Sequence, residues 1–210
     1  MRNNNYLAAV FKAADNYYEH LLNRNLLFVY QESPRKIDTM ETVFMDYNFM
    51  HLTGVVFKKG HEMLPTKFFE RCMDRKLKAD NMLLREDGTT IQKLNVLPEI
   101  FNPSLSAKMV GVYKGGRINL MSELMTGGIR GAVGFVKDRG LYYPNTIIEG
   151  DIRSDIDRPR RVLAVFRKAT SDDKYLECTY IAKKVDLSKL SISEPFSYLG
   201  GEENSEERGE

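Results

Sequence analysis

The chain has 210 residues, and 31 Lys or Arg against 29 Asp or Glu give a formal net charge of +2 at pH 7. A hydrophobic fraction of 42% excludes a wholly disordered chain, and this length is enough to bury one substantial core. The two cysteines, Cys72 and Cys178, lie far apart and argue against a zinc cage or a disulfide scaffold. No apolar stretch approaches the roughly 18 to 20 residues that span a bilayer, and no secretory signal is visible. We therefore expect a globular cytoplasmic protein.

The charge is unevenly distributed along the chain. The last eleven residues, 200–210, hold five Glu and one Arg, so they carry −4 while the remaining residues carry +6. A polar, Glu-rich segment of this kind is typical of disorder. We therefore predict an N-terminal helix and connector over 1–40, an α+β domain over 41–199 and an acidic disordered tail over 200–210.

In chain order, the first elements are a helix and a strand. Apolar residues recur at three- and four-residue steps over 7–22, which predicts one amphipathic helix. A short strand is expected over 26–30, followed by a polar connector over 31–38 that contains a proline. Over 41–57 the apolar residues alternate at a period of two, which predicts a long strand or two strands joined at a bend.

Two further helices are expected before the β-rich half of the chain. One begins near Pro65, because proline is favoured in the first turn of a helix. The other begins near Thr89, where Thr89 and Gln92 have the spacing of a capping box. Pro98 should kink or end this second helix, because it lacks a backbone donor and its ring clashes with the preceding turn.

The second half of the chain is rich in hairpin signals. The three predicted hairpins pair 108–113 with 117–121, 131–136 with 141–143, and 161–168 with 174–182. Helices that precede a run of hairpins are typical of a layered α+β domain and not of a βαβ fold. The expected fold is therefore α+β, with N-terminal helices packed on one antiparallel β-sheet built of successive hairpins.

The tetrapeptide His51-Leu52-Thr53-Gly54 carries the strongest candidate chemistry. On the predicted strand, residues i and i+2 point to the same face, so the His51 imidazole and the Thr53 hydroxyl would stand side by side. A histidine exchanges protons near neutral pH, and a hydroxyl can orient a phosphate or a water. A core histidine hydrogen-bonded to the same threonine fits this pattern equally well. The sequence contains no GxSxG, GxxxxGK[ST] or HExxH motif.

Basic residues alternate with aromatic ones through the β half of the chain. Lys and Arg neutralise phosphates and Tyr can stack on bases, so this composition is compatible with single-stranded RNA, although charged hairpin ends also serve solubility alone. Lys93 is a separate case, because a cation in the early turns of a helix is slightly disfavoured by the dipole and indicates a partner or a ligand. The interleaved residues include Tyr113, Lys114, Arg117, Arg130, Phe135, Lys137, Tyr142, Tyr143, Asn145, Phe166, Arg167 and Lys168.

Several short motifs occur together in one order. They are Phe49-Met50-His51-Leu52-Thr53-Gly54, Asp87-Gly88-Thr89-Thr90-Ile91-Gln92-Lys93-Leu94, Gly134-Phe135, Pro144-Asn145-Thr146, Asp151 and Val165-Phe166-Arg167-Lys168. This order resembles a phage and mobile-element branch of the Barnase–EndoU–colicin–RelE-like nuclease superfamily, the fourth phage class, over about 47–182. The resemblance implies a toxin or defence protein that cleaves RNA, without metal or cofactor, by attack of the ribose 2′-hydroxyl on the adjacent phosphorus.

The resemblance also implies roles for individual residues. The implied catalytic residues are His51, Thr53, Lys93, Arg117 and Lys168. His51 would be the general base or acid, Thr53 would orient the phosphate, and the three cations would stabilise charge on the phosphorane. The resemblance implies Asn145 and Thr146 as substrate-binding residues, and the aromatic residues among the basic ones add Tyr113 and Tyr143 to that set. The expected partners are RNA and an inhibitor or antitoxin protein, and the segment 1–31 could serve either an inhibitor or assembly into a homo-oligomer.

Two other functions remain open. An ADP-ribosyltransferase-like enzyme would hold NAD with a histidine and a hydroxyl residue, but it needs a catalytic glutamate, for which Glu149 and Glu177 are the carboxylates to test. A non-catalytic binding protein of a phage or mobile element would use the same basic face to hold nucleic acid or protein. Incubation with RNA in EDTA, with and without NAD, separates these functions.

Overall fold

The structure is a computed structural model, and it describes residues 2–115 and 122–201. The described residues form four α-helices: α1 (Arg2–His20), α2 (Asp46–Thr53), α3 (Pro65–Met73) and α4 (Thr89–Ile100). They form ten β-strands: β1 (Arg24–Ser33), β2 (Lys36–Phe44), β3 (Val56–Phe57), β4 (Met82–Leu83), β5 (Met109–Tyr113), β6 (Leu124–Gly127), β7 (Gly131–Asp138), β8 (Leu141–Glu149), β9 (Ile156–Ala169) and β10 (Glu177–Ile181). None of the helices in these two ranges is long and apolar enough to cross a membrane.

Seven of the strands close into a mixed β-barrel. The ring runs β1-β2-β8-β7-β6-β5-β9 and returns to β1, while β10 pairs with β9 outside the ring. Neighbouring strands are antiparallel except β2 and β8, which pair in parallel where Thr42 lies opposite Tyr142. The α+β class is correct, but the expected single antiparallel sheet of successive hairpins is wrong. The β1–β2 hairpin inserts between β8 and β9, and such long-range pairing leaves no trace in local periodicity.

The long strand predicted over 41–57 is also wrong, because β2 ends and α2 begins within it. The Asn48 side chain accepts a hydrogen bond of 3.0 Å from the Met45 backbone N–H at the start of α2. Gly54 ends the helix in the left-handed conformation, with φ of 67°. These two cap interactions, together with packing of the helix against the core, stabilise a helix where the period-two pattern predicts a strand.

The other predicted helices are confirmed as α1, α3 and α4. The capping box predicted at Thr89 is wrong, because Gly88, with φ of 76°, occupies the N-cap position of α4. Pro98 lies inside α4, near its last residue, Ile100. The helix therefore ends shortly after the proline, in keeping with the missing backbone donor.

Hairpins between strands that are close in sequence are confirmed for β7–β8 and β9–β10. β1 and β2 form a further hairpin that takes in most of the connector predicted over 31–38. The strand predicted over 117–121 lies outside the described residues, and β5 pairs with β6. Residues 202–210 of the acidic tail also lie outside them.

One aromatic cluster joins the helices to one another. The fully buried Tyr17 of α1 lies 5.2 Å from Phe49 of α2 and from Phe101, and 5.7 Å from Phe69 of α3, between ring centroids. Its hydroxyl donates a hydrogen bond of 2.8 Å to the Met45 carbonyl, immediately before α2. Aromatic pairs of this geometry contribute about 0.5–1.5 kcal/mol beyond area burial. The cluster therefore fixes the position of α2.

The two faces of β1 belong to different clusters. Leu26 and Phe28 pack in the core that includes the helices, whereas Leu27 and Val29 pack in a second cluster with Tyr175. This division follows from the alternation of side chains along a strand. The barrel wall therefore has a helix side and an opposite side at β1 and its partners.

We predict that Phe49→Ala destabilises the protein by about 3–5 kcal/mol, because it leaves a cavity in the aromatic cluster. Tyr18→Ala is the control, since Tyr18 is 60% exposed on α1, and it should change the free energy of unfolding by less than about 0.5 kcal/mol. Chemical denaturation followed by circular dichroism measures both values. Similar losses for the two variants would contradict this account of the core.

Candidate active site

His51 lies in the last turn of α2, where the backbone carbonyls have no partner within the helix. Its side chain is exposed. Its carbonyl accepts hydrogen bonds from the Gly54 backbone N–H at 3.2 Å and from the Lys93 Nζ at 3.4 Å. One backbone N–H and one ammonium group therefore cap the His51 carbonyl at the end of α2.

Lys93 reaches this helix end from α4. Its aliphatic stem packs over Gly54, since a Cβ atom placed on Gly54 would lie 3.1 Å from the Lys93 Cδ. The ammonium group stands at the C-terminus of α2, where the helix dipole favours a cation. The partner expected for Lys93 is thus found in the His51 carbonyl.

Thr90 connects the segment before α4, at Arg85, to this helix end through hydrogen bonds. Its side chain is fully buried, and its hydroxyl donates a hydrogen bond of 2.8 Å to the Gly54 carbonyl. The same oxygen accepts a hydrogen bond of 3.1 Å from the Arg85 backbone N–H. Arg85, which none of the sequence motifs includes, is thereby held beside the C-terminal end of α2 and the start of α4. The available signal was its position just before the Asp87-Gly88 turn that leads into α4.

The pKa values of both His51 and Lys93 are displaced toward the uncharged form. Desolvation by the surrounding protein lowers the pKa of His51 most, followed by the charges of Lys93 and Arg85, while a hydrogen bond with the Asn145 backbone acts in the opposite direction. Burial and then Arg85 lower the pKa of Lys93 to about 8, and Asp87 opposes this shift. Titratable groups perturbed together in this way are typical of functional sites.

β8 lines the other flank of α2. The Asn145 backbone contacts the His51 imidazole. Burial raises the pKa of Tyr47 on α2 most, and the electrostatic effect of the nearby Tyr143 raises it further. Tyr47 is 45% exposed and lies one helical turn before His51. The structure therefore brings together His51, Lys93, Asn145 and Tyr143 from the expected set, and it adds Arg85 and Tyr47.

The expected side-by-side arrangement of His51 and Thr53 is wrong, because both residues lie on α2. Residues i and i+2 of a helix point about 200° apart. The Thr53 side chain is fully buried, its hydroxyl donates to the Met50 carbonyl at 2.7 Å, and its oxygen accepts from the Val55 backbone N–H at 3.2 Å. Thr53 thus stabilises the end of the helix from within.

Lys168 lies elsewhere, on β9. It pairs with Asn25 of β1, and its Nζ stands 5.0 Å from the centroid of the Tyr175 ring, on the side of the barrel wall opposite the helices. There it borders an open cleft of about 580 Å³. The structure therefore does not place Lys168 beside His51, although the resemblance assigned both residues to one site.

The remaining expected residues are dispersed. Tyr113 packs against a third apolar cluster that contains Met125 and Ile156. Thr146 is buried, and its hydroxyl donates to the Ile147 carbonyl at 3.5 Å. Arg117 lies outside the described residues.

The two glutamates expected of a transferase are hydrogen-bonded to neighbours. Glu149 accepts from the Asn95 amide at 3.3 Å, and Glu177 accepts from the Arg167 guanidinium at 2.6 and 2.8 Å. Across 2–115 and 122–201, no three His, Cys, Asp or Glu side chains lie close enough together to hold a metal ion.

Comparison with known proteins finds one family. The family model described as phage-Barnase-EndoU-ColicinE5/D-RelE like nuclease 4 matches residues 9–184. The matched range contains α2, Arg85, α4 and β8, so the whole cluster around His51 lies within it. No curated protein and no solved structure matches the chain.

We predict that Arg85→Gln raises the pKa of both His51 and Lys93, because a nearby positive charge that opposes their protonation is removed. Asp87→Asn should lower the pKa of Lys93 further, since the Asp87 charge favours the ammonium form. NMR titration of the imidazole and of the lysine Cε measures these values. Arg71→Gln, an exposed change on α3, is the control. Unchanged pKa values in Arg85→Gln would show that Arg85 does not act on the pair.

Proposed function

Because the chain belongs to the phage-Barnase-EndoU-ColicinE5/D-RelE like nuclease 4 family, we propose that it is an endoribonuclease whose active site is the cluster around His51 and Lys93. The family name indicates a nuclease, and the choice of RNA and of the reaction is our proposal. One observation carries it. An imidazole and an ammonium group, both with lowered pKa, stand at one helix end beside Arg85.

The lowered pKa values suit the two groups to complementary proton transfers. With a pKa below its ordinary 6.5, His51 is mostly neutral at pH 7 and can accept the proton of the ribose 2′-hydroxyl. With a pKa of about 8, Lys93 is mostly protonated at pH 7 and can donate a proton to the leaving 5′-oxygen. The 2′-oxygen bonds to phosphorus as the bond to the 5′-oxygen breaks, which yields a 2′,3′-cyclic phosphate and a 5′-hydroxyl.

Arg85 and β8 supply the remaining interactions of the proposed site. The exposed Arg85 guanidinium would stabilise the negative charge that develops on the phosphorane oxygens. Tyr47 and Tyr143 would stack on unpaired bases next to the cleaved phosphate, and Asn145 would contact the nucleotide. Thr53 and Lys168 take no part in this scheme, because the first is buried and the second lies on the opposite side of the barrel wall.

We also propose an inhibitor or antitoxin protein as a partner. A free endoribonuclease would degrade the RNA of the cell that makes it, so its activity must be held in check. The cluster around His51 carries the positive charges of Lys93 and Arg85, and an inhibitor that covers it would therefore present an acidic surface.

We predict that His51→Ala lowers the rate of RNA cleavage by about 10²- to 10⁴-fold, because a proton-transfer group is lost. The substrate is a set of short single-stranded RNAs in EDTA, and mass spectrometry of the products detects 2′,3′-cyclic phosphate ends. His61→Ala is the control, since His61 is exposed in the loop before α3. It should cleave at the wild-type rate.

Substrates with a 2′-deoxy sugar at the cleaved position should resist the wild-type protein. Intact RNA after incubation with wild-type protein would contradict the proposed function, and so would an unimpaired His51→Ala variant. Transfer of label from NAD by a protein that leaves RNA intact would instead support the transferase.

A further inference from the structure

We propose that Thr90 is the positioning residue of this site, and that its buried hydroxyl holds Arg85, Lys93 and the end of α2 in one arrangement. The inference rests on the proposed function for its catalytic consequence. The hydrogen bonds of Thr90 support this role independently of the proposed chemistry. Thr90 is fully buried and therefore cannot contact a substrate itself.

The Thr90 hydroxyl is a junction between two backbone segments that are distant in sequence. It donates to the Gly54 carbonyl at 2.8 Å and accepts from the Arg85 N–H at 3.1 Å. Its side chain has no exposed surface, so water cannot replace the hydroxyl without rearrangement. Loss of the hydroxyl would leave the buried Gly54 carbonyl and the partly buried Arg85 N–H without this partner.

Lys93 contacts the same helix end from the same turn of α4. Thr90 and Lys93 lie three residues apart on α4, almost one full turn. While Thr90 fixes the Gly54 carbonyl, the Lys93 stem packs against Gly54 and its Nζ reaches the His51 carbonyl at 3.4 Å. One turn of α4 therefore makes two separate contacts with the end of α2.

The junction holds the Arg85 backbone near the helix end that Lys93 also contacts. The charges of Lys93 and Arg85 both lower the pKa of His51, and the Asn145 backbone on β8 forms a hydrogen bond with its imidazole. The charge of Arg85 lowers the pKa of Lys93, and the charge of Asp87 raises it. Removal of the Thr90 hydroxyl would release the Arg85 loop and weaken the influence of Arg85 on both groups.

The test compares Thr90→Val, which removes the hydroxyl at similar volume, with Thr90→Ser, which keeps it. Thr126→Val is the matched control, because Thr126 is also fully buried and donates to a backbone carbonyl, that of Met109 at 3.0 Å, away from this site. For each protein, thermal melts establish folding, NMR titration gives the pKa values of His51 and Lys93, and RNA cleavage gives kcat and KM.

We expect Thr90→Val to lower kcat by roughly 10- to 100-fold, since small displacements of catalytic groups have effects of this size. The pKa values of His51 and Lys93 should rise, because Arg85 moves away. Thr90→Ser and Thr126→Val should retain wild-type kcat and wild-type pKa values. Should Thr90→Val fail to fold, Thr90→Ala, which creates no overpacking, takes its place in the same measurements.

A folded variant without the hydroxyl but with wild-type kcat and pKa values would overturn the inference and leave Thr90 a structural residue only. The two proposals fail separately. If wild-type protein does not cleave RNA, the proposed function fails, and the pKa values still decide whether Thr90 positions the cluster. If wild-type protein cleaves RNA and Thr90→Val matches it, only the role of Thr90 is rejected.

Discussion

The C-terminal end of α2 is the constraint on which the site depends. A helix end leaves backbone carbonyls that need donors, and four donors serve it here: the Thr53 hydroxyl, the Gly54 N–H, the Lys93 ammonium and the Thr90 hydroxyl. Gly54 permits this convergence, because it adopts a left-handed conformation and has no Cβ atom to displace the Lys93 stem. The same interactions that complete the helix therefore place an ammonium group and an arginine segment beside an exposed imidazole.

Closure of the barrel supplies the second flank of the site. β2 leads into α2 and also pairs with β8 in parallel, so the strand that carries Tyr143 and Asn145 is brought alongside the helix that carries Tyr47 and His51. The aromatic cluster around Tyr17 holds α2 from the inside. The C-terminal end of this helix thus meets α4 and one flank meets β8, while its apolar face is fixed in the core.

Sequence patterns predicted the helices and hairpins that are set by neighbouring residues. They did not predict the contacts between residues that are distant in the chain. The stripe over 7–22 and the β7–β8 hairpin are local signals, and both are confirmed. The alternation over 41–57 was misleading, because Phe49 and Thr53, which α2 buries at a spacing of four, also fit a period of two. Leu52, three residues after Phe49 and also buried, falls in the other phase. The family resemblance grouped His51 with Lys93 and Lys168, and the structure places only Lys93 beside the end of α2 that carries His51. Arg85 became visible only through its hydrogen bond to Thr90.

The central claim is that His51 acts as a neutral base and Lys93 as a charged acid in one reaction. The most direct test is the pH dependence of kcat/KM for RNA cleavage by the wild-type protein in EDTA. We expect a bell-shaped profile that rises through a pKa below 6.5, as His51 loses its proton, and falls through a pKa of about 8, as Lys93 loses its own. A rate that does not change with pH, or that continues to rise above about pH 8, would contradict this assignment.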